Sequence, residues 1–236
     1  VYVDGQTVTV EDAQGLQSAA LDYLMLDCAL CNDARYTEQN GSVSAIGDPT
    51  EIALIDLSQK FGREKSRTDQ EMPRVAELPF DSERKLMSTV HEAEGKRIVF
   101  VKGAVDVLLA RCESVLQDGT QVPLDEQQVQ RVQQANDAMA QKALRVLGMA
   151  MKYIDAIPGK DEMDTLEQHL TFVGMTGMMD PPREEARDAV RTCKSAGIRP
   201  VMITGDHLTT AVAIAKSLEI LREGDLAITG AELEQM

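Results

Sequence analysis

A phenylalanine and two cations lie close together in the segment "LPFDSERKLMSTV", residues 78–90. Arg84 and Lys85 follow Phe80 by four and five positions, in a chain that has only 4 Phe and no Trp. Aromatic side chains mostly serve packing, so a core position on a strand is one interpretation of Phe80. A solvated strand edge is the corresponding interpretation of the two cations, because charge there deters aggregation. The alternative is a ligand site that combines an aromatic face with positive charge.

Lys102 ends an apolar run in the segment "IVFVKGA", residues 98–104, and Gly103 follows it. A lysine among apolar residues is costly unless an acceptor meets it. A glycine at the next position lets the backbone come close to a ligand. This pattern indicates a second place where a charged group meets a partner.

Glu51 and Arg145 are charged residues whose surroundings already suggest structural roles. The order Asp48-Pro49-Thr50-Glu51 is typical of a helix start, with an N-cap, a proline in the first turn and a capping-box glutamate. Arg145 lies in the strand-like apolar stretch "ALRVLGMAMK", where a salt bridge to an acidic surface would suffice. Neither pattern by itself indicates a ligand.

Thr204, Gly205 and Asp206 stand between the apolar run "IRPVMITGD" and the helical pattern "HLTTAVAIAKSLEI". Simple capping of that helix by Asp206 is one interpretation. Phosphate chemistry needs the same geometry: a glycine for close approach, a helix N-terminus for the anion and a carboxylate for the metal. Both interpretations remain open from the residues alone.

The elements that must position these residues change character along the chain. Residues 1–170 combine helices and strands, and the strand-like runs between 75 and 102 leave no room for a crossover helix. Such strands pair antiparallel. We expect helices near 15–33, 48–61 and 125–142, and strands near 75–90, 97–102 and 144–154.

Residues 171–236 instead alternate apolar runs with amphipathic helices, which predicts a parallel α/β layer. Ligands bind beyond the carboxyl ends of such strands, where Asp180 and Thr204 would lie. The fold class is therefore α/β, with one domain over 1–170 and a partial one over 171–236.

Composition excludes several classes of protein. A net charge of −15 argues against a nucleic-acid binder, which needs a basic surface. No stretch approaches the roughly 20 apolar residues of a membrane span. Cys28 and Cys31 fall within a helical pattern, so buried thiols in a reducing compartment fit better than a zinc site.

Five motifs resemble the cytoplasmic region of P-type cation-transporting ATPases, in the order and spacing of that family. They are "GDPTEIAL", "FDSERKLMS", "VKGAVDVLL", "DPPREEARDAV" and "MITGDHLTTAVAIAKSLEI". The residues of these motifs are similar to those of the calcium-pump branch, and of bacterial calcium ATPases in particular. The resemblance implies a nucleotide-binding domain, with an antiparallel sheet flanked by helices, inserted into a Rossmann-like phosphorylation domain.

The resemblance implies an adenine slot built from four of these residues. By it, Phe80 stacks on the adenine ring, Glu51 accepts from the adenine amino group, and Lys102 and Gly103 line the pocket. We expect Phe80 and Lys102 to form two walls of the slot on neighbouring strands. The sequence departs from the family where Val105-Asp106 replaces the usual Pro-Glu, which alters the turn into the next helix more than the pocket.

The resemblance also implies cations that face the sugar and phosphates. Arg84 and Lys85 would lie on the sugar-phosphate side of the slot, and Arg145 would contact the phosphates through its planar fork of donors. Arg183 would lie where the nucleotide domain closes over, and there it is more credible than Asp180, because a polyphosphate repels a carboxylate.

The same resemblance assigns Thr204, Gly205 and Asp206 to the terminal phosphate of ATP and its magnesium ion. The family nucleophile lies in Asp-Lys-Thr-Gly-Thr, and no Asp of this chain precedes Lys-Thr; the later Gly-Asp-Gly motif is also missing. We therefore expect a soluble segment from the cytoplasmic face of a calcium pump. It would bind ATP or ADP without hydrolysing it. Its partners would be the phosphorylation, actuator and membrane domains of the pump.

Two other classes of function remain. A phosphatase of the haloacid-dehalogenase type would need an Asp-x-Asp nucleophile motif, and none is found. A non-catalytic regulatory or interaction module that has lost nucleotide binding would keep the fold without the ligand.

Overall fold

The chain divides into two compact units in a computed structural model that describes residues 1–39, 42–93, 95–142, 144–179, 184–204, 208–222 and 224–233. The first unit comprises Val1–Ala135 and Val146–Thr176. The second comprises Asn136–Arg145 and Gly177–Met236.

A nine-stranded sheet organises the first unit, and a separate two-stranded hairpin accompanies it. The sheet contains β1 (Tyr2–Val3), β2 (Gln6–Thr7), β5 (Arg74–Asp81), β6 (Leu86–Ala93), β7 (Lys96–Gly103), β8 (Cys112–Gln117), β9 (Thr120–Pro123), β10 (Arg145–Ile154) and β11 (Leu170–Met178). The hairpin joins β3 (Arg35–Gln39) to β4 (Ser42–Ile46). The strand order is β2-β1-β11-β10-β7-β6-β5, with β8 pairing to β11 and β9.

Neighbouring strands β5, β6, β7 and β10 run antiparallel, as the short spacing in the sequence predicts. Most residues of β6 and β7 are buried on both sides of the sheet, so both sides must be covered. Side chains alternate between the two sides along a strand, and directly paired residues share a side. The lysine face carries Met87, Thr89, His91, Ile98, Phe100 and Lys102. The serine face carries Leu86, Ser88, Val90, Val99 and Val101.

Nine α-helices and one 3-10 helix are found among the described residues. They are α1 (Val10–Ala13), α2 (Ala19–Leu30), α3 (Pro49–Lys60), α4 (Lys65–Glu71), α5 (Val105–Leu109), α6 (Glu126–Ala140), the 3-10 helix (Lys160–Glu167), α7 (Glu184–Ser195), α8 (Leu208–Ser217) and α9 (Gly230–Leu233). Helix α2 packs against α3, α4 and β7. The class predicted from the sequence, α/β with an antiparallel sheet flanked by helices, is confirmed. No described helix is long and apolar enough to cross a bilayer.

Helix α2 carries the two thiols that the sequence placed in a core. Ser18 caps the helix by accepting from Leu21 N at 3.1 Å, and Cys28 and Cys31 are fully buried. Burial raises the pKa of Cys31 to about 12. The burial of both side chains agrees with the interpretation as buried thiols. Among the described residues, no cluster of three or more His, Cys, Asp or Glu could hold a metal ion.

The second unit contains α7 and α8 as predicted, but the strand predicted over 198–204 is wrong. That segment has no regular secondary structure, and Val201 and Ile203 are exposed. The apolar run that begins at 171 forms β11, which belongs to the nine-stranded sheet. The second compact unit resumes after Thr176, and the predicted domain bounds of 1–170 and 171–236 stay a prediction. The assignment of 171–236 to a phosphorylation domain stays a prediction.

Candidate functional site

Lys102 has the acceptor that its apolar surroundings require. Its Nζ donates to Glu51 Oε1 at 2.6 Å, and the two side chains are only 8% and 16% exposed. The pair links the end of β7 to the start of α3 on the lysine face. Because both groups are largely removed from water, each depends on the other for its charge compensation.

The chain enters α3 by a turn that leaves no room for a side chain. Gly47 has a φ of +149°, and a Cβ there would lie 2.6 Å from Ala34 Cβ. Asp48 then caps the helix, accepting from Thr50 N at 2.8 Å. The glutamate at the capping-box position, Glu51, reaches Lys102 instead, which frees its side chain for a role outside its own helix start.

The loop after α2 holds Glu51 from the other side. Asn32 Nδ2 donates to Glu51 O at 2.9 Å, and Asp33 N donates to Glu51 Oε2 at 3.3 Å. Arg74 of β5 clamps the same loop, with Nη2 on Asn32 O at 2.8 Å and Nη1 on Asp33 Oδ1 at 2.7 Å. Sequence reasoning missed these three residues; only the dense run of polar residues after an apolar helix could have pointed to them.

Phe80 is not a core residue, since 62% of it is exposed. It lies on β5, the last strand of the sheet order. The register of β5 on β6 shifts at this point, so Pro79 and Phe80 together stand opposite Met87. Two residues against one make a β-bulge, a feature that re-aims a side chain. The aromatic ring is therefore presented to solvent at a sheet edge.

The prediction that Phe80 and Lys102 lie on neighbouring strands is wrong. Strand β6 runs between β5 and β7. Met87 of β6 pairs directly with Lys102 and faces the bulge that contains Phe80. The two predicted walls thus flank one residue in a single row across the sheet, with their backbones about 10 Å apart at two strand spacings.

Gly103 and Lys85 meet through their backbones. A Cβ on Gly103 would lie 2.2 Å from Lys85 O, and Ala104 N donates to the same oxygen at 3.2 Å. The glycine is thus required for the approach of two strands, whatever it also does for a ligand. Lys85 has a φ of +55° at the end of the turn, and its side chain is exposed.

Arg84 has partners inside the protein. Its Nη2 donates to Pro79 O at 2.8 Å, and its Nη1 forms an ion pair with Glu167. Glu167 is fully buried and also accepts from Ser88 Oγ at 2.6 Å. The predicted contact of Arg84 with the sugar-phosphate side of a ligand stays a prediction, and no sequence pattern pointed to Glu167.

The remaining predicted residues fall in or near the second unit. Arg145 begins β10 and is exposed, and Thr204 is exposed in the irregular segment that precedes α8. Their contacts with phosphate groups stay predictions. Outside the described residues lie Asp180, Arg183, Gly205 and Asp206.

A further carboxyl group lies beneath the pair. Asp27 of α2 is fully buried, and neither of its oxygens has a hydrogen-bond partner at normal geometry among the described residues. Burial raises its pKa well above the usual range, while the charge of Lys102 acts in the opposite direction. The surroundings of Lys102 are thus under-satisfied in polar contacts.

Fold and site together define an α/β domain with an antiparallel sheet, a paired lysine and glutamate on one side of it and an exposed aromatic at its edge. The family model described as "P-type ATPase, cytoplasmic domain N" matches residues 20–185. The chain belongs to this family, which confirms the resemblance.

Curated relatives agree with this assignment. The chain is 44% identical over 222 residues to "Calcium-transporting ATPase 1" of Lactococcus lactis, a match that covers 94% of the chain and 25% of the relative. It is 43% identical over 213 residues to a protein of the same name from Bacillus cereus, covering 90% and 23%. It is 40% identical over 218 residues to "Cation-transporting ATPase pma1" of Synechocystis, covering 92% and 24%. The chain thus spans about a quarter of the length of these relatives.

Proposed function

We propose that the chain binds the adenine nucleotide of a cation-transporting P-type ATPase, and that calcium is the cation. Family membership supports ATP as the ligand, and the names of two relatives support calcium. The observation that carries the proposal within the molecule is the enclosed Glu51–Lys102 pair, which lies in the same cross-sheet row as the exposed ring of Phe80.

The geometry suggests how such a ligand would be held. An adenine ring offers an amino donor and ring-nitrogen acceptors, so Glu51 can accept from the first while Lys102 donates to the second. Glu51 and Lys102 would then exchange their contact with each other for contacts with the ligand, which satisfies both groups. The face of Phe80 adds base stacking, worth about 1–3 kcal/mol per base.

The catalytic step is proposed to lie outside this chain. The sequence lacks the Asp-Lys-Thr-Gly-Thr nucleophile motif, so the bound ATP would phosphorylate an aspartate of the parent pump. The other pump domains are the proposed partners, and the cytoplasmic side of the membrane is the proposed location. Magnesium would accompany the ATP, and Asp206, its predicted neighbour, lies outside the described residues.

Titration of the purified chain with a fluorescent ATP analogue tests the proposal. Phe80→Ala is expected to weaken binding by about 5- to 150-fold, the equivalent of one lost stacking contact. Val75→Ala is the matched control, since Val75 is an exposed residue of the same strand, 40% accessible. It should leave the affinity unchanged.

Lys102→Met should also abolish most binding, and Lys65→Met is its control. The side chain of Lys65 is also only 8% exposed, and it pairs with Asp69 of the same helix at 2.7 Å. Absence of binding by the unaltered chain at millimolar nucleotide would overturn the proposal and favour the interaction module. Release of phosphate from ATP that requires the chain would contradict the prediction that the chain does not hydrolyse ATP.

A further inference from the structure

The bulge that carries Phe80 is tied to the interior by one guanidinium group. Arg84 Nη2 donates to Pro79 O at 2.8 Å, while Nη1 of the same side chain pairs with the buried carboxylate of Glu167. Pro79 O and Phe80 N belong to one planar peptide unit. A group that fixes that carbonyl therefore also fixes the direction in which Phe80 leaves the strand.

The interior end of this connection is rigid. Glu167 is completely buried and accepts from Ser88 Oγ at 2.6 Å and from Arg111 Nη1 at 3.4 Å. A buried carboxylate persists only when its oxygens are satisfied, so the cluster resists rearrangement. Lys152 holds the end of the 3-10 helix in place by donating to Thr165 O at 2.6 Å and Gln168 O at 2.8 Å.

The outer end needs such support. A bulge interrupts the regular hydrogen bonding of a strand pair, and Pro79 has no N–H to contribute. Phe80 itself is mostly exposed, so core packing does not hold its ring. An unsupported bulge on an edge strand would present the ring in many orientations, and ordering it on binding would cost affinity.

The ion pair of Arg84 and Glu167 is engaged on the side of the sheet opposite the proposed ligand. Ser88 follows Met87 in β6, so its hydroxyl and Glu167 lie on the serine face, opposite Lys102 and Glu51. Through Nη1, the guanidinium of Arg84 is engaged with this opposite face.

We propose that Arg84 and Glu167 form a positioning pair that pre-orients Phe80 for stacking on the base, and that Arg84 acts through Phe80 without touching the phosphates. This inference rests on the proposed nucleotide binding and replaces the direct role expected from the sequence. Arg84→Met should weaken binding of the fluorescent ATP analogue by about fivefold or more, a part of the loss expected for Phe80→Ala.

Two comparisons distinguish positioning from phosphate contact. In competition against the fluorescent analogue, Arg84→Met should weaken ATP and adenosine by the same factor, whereas a phosphate contact would weaken ATP alone. In the Phe80→Ala background, Arg84→Met should cause little further loss, because the two changes remove one interaction. Losses that multiply, or a loss confined to ATP, would overturn the inference.

Two further variants serve as controls. Arg111→Met removes the other arginine from Glu167 but leaves the Pro79 contact, so its affinity for the analogue should equal that of the unaltered chain. Arg84→Lys keeps the charge without the fork and should stay weak; recovery of affinity would contradict positioning. Each variant must show the unaltered circular dichroism spectrum. If the unaltered chain itself binds no nucleotide, the proposed function fails; if it binds and Arg84→Met binds equally, only this inference fails.

Discussion

The lysine face and the serine face of the same two strands treat buried charge differently. On the serine face, the carboxylate of Glu167 accepts from two arginines and a serine hydroxyl and is fully satisfied. On the lysine face, Glu51 accepts from one cation, Lys102, and from the backbone N–H of Asp33, and 16% of the glutamate side chain is still accessible. A ligand can replace one partner in the contact between Lys102 and Glu51. A ligand that replaced a partner of Glu167 would leave a buried charge without compensation.

Unsatisfied polar atoms show the same contrast. His91 Nε2 of the lysine face has no hydrogen-bond partner among the described residues, and the oxygens of Asp27 have none there at normal geometry. Native interiors tolerate few such atoms, and those that persist usually have a functional reason. The serine face of this sheet is therefore rigid, whereas the lysine face has polar groups that are still able to bind a ligand.

The largest expected effect comes from emptying the saturated cluster. The double variant Arg84→Met and Arg111→Met leaves Glu167 buried with a hydroxyl as its remaining partner. We expect a loss of about 3–5 kcal/mol in the free energy of unfolding, measured by urea denaturation at pH 7. Lys102→Met should cost less, about 1 kcal/mol, because Glu51 keeps the N–H of Asp33 as a donor and remains partly accessible. Equal costs for the two changes would remove the distinction between the faces.

A second prediction uses pH against the lysine face. His91 is buried, its Nδ1 lies 2.8 Å from Met72 O, and burial lowers its pKa from 6.5 to about 4. The folded state thus keeps His91 neutral while the unfolded chain takes up a proton below pH 6.5. Stability is therefore fully present above pH 6.5 and is lost as the pH falls towards 4, by about 3 kcal/mol in total.

Urea denaturation at pH 7 and at pH 4.5 measures this contribution. The decrease should be smaller in His91→Phe, whose ring cannot titrate, than in the unaltered chain. An unchanged decrease in that variant would show that His91 accepts a proton in the folded state without cost, and that the lysine face is less closed than its burial indicates.

The sequence predicted the elements with strong periodicity and missed the contacts that join distant segments. Helices α2, α3 and α6 and strands β7 and β10 were predicted close to their observed bounds, because a regular apolar pattern is a local property. The run 75–90 was predicted as strand-like throughout, yet it is two strands joined by a turn that ends at Lys85. A positive φ at a lysine carries no compositional signal of the kind that glycine gives.

The candidate site divides in the same way. Motif resemblance found Glu51, Phe80 and Lys102, but the intervening strand between the last two depends on sheet order, which no local pattern encodes. Glu167 contacts Ser88 and Arg84, which precede it in the chain by 79 and 83 positions. Its burial follows from those contacts and could not be read from "TLEQHL". The strand predicted over 198–204 failed because an apolar run forms a strand only where a partner strand is available to it.

The smallest expected effect concerns Asp27, which lies beneath the Lys102 pair and tests whether the lysine face is strained. Because burial raises its pKa, the folded state holds a proton that the unfolded chain releases above its ordinary pKa of 3.8. Asp27 therefore lowers stability progressively as the pH rises from that value, the opposite sense to His91. Asp27→Asn removes this titration and should raise the free energy of unfolding at pH 7, measured by urea denaturation. The gain should vanish near pH 3, where both states carry the proton. A loss of stability at pH 7 would mean that Asp27 is ionised and serves Lys102 as a second counter-charge, which would make the lysine face as fully compensated as the serine face.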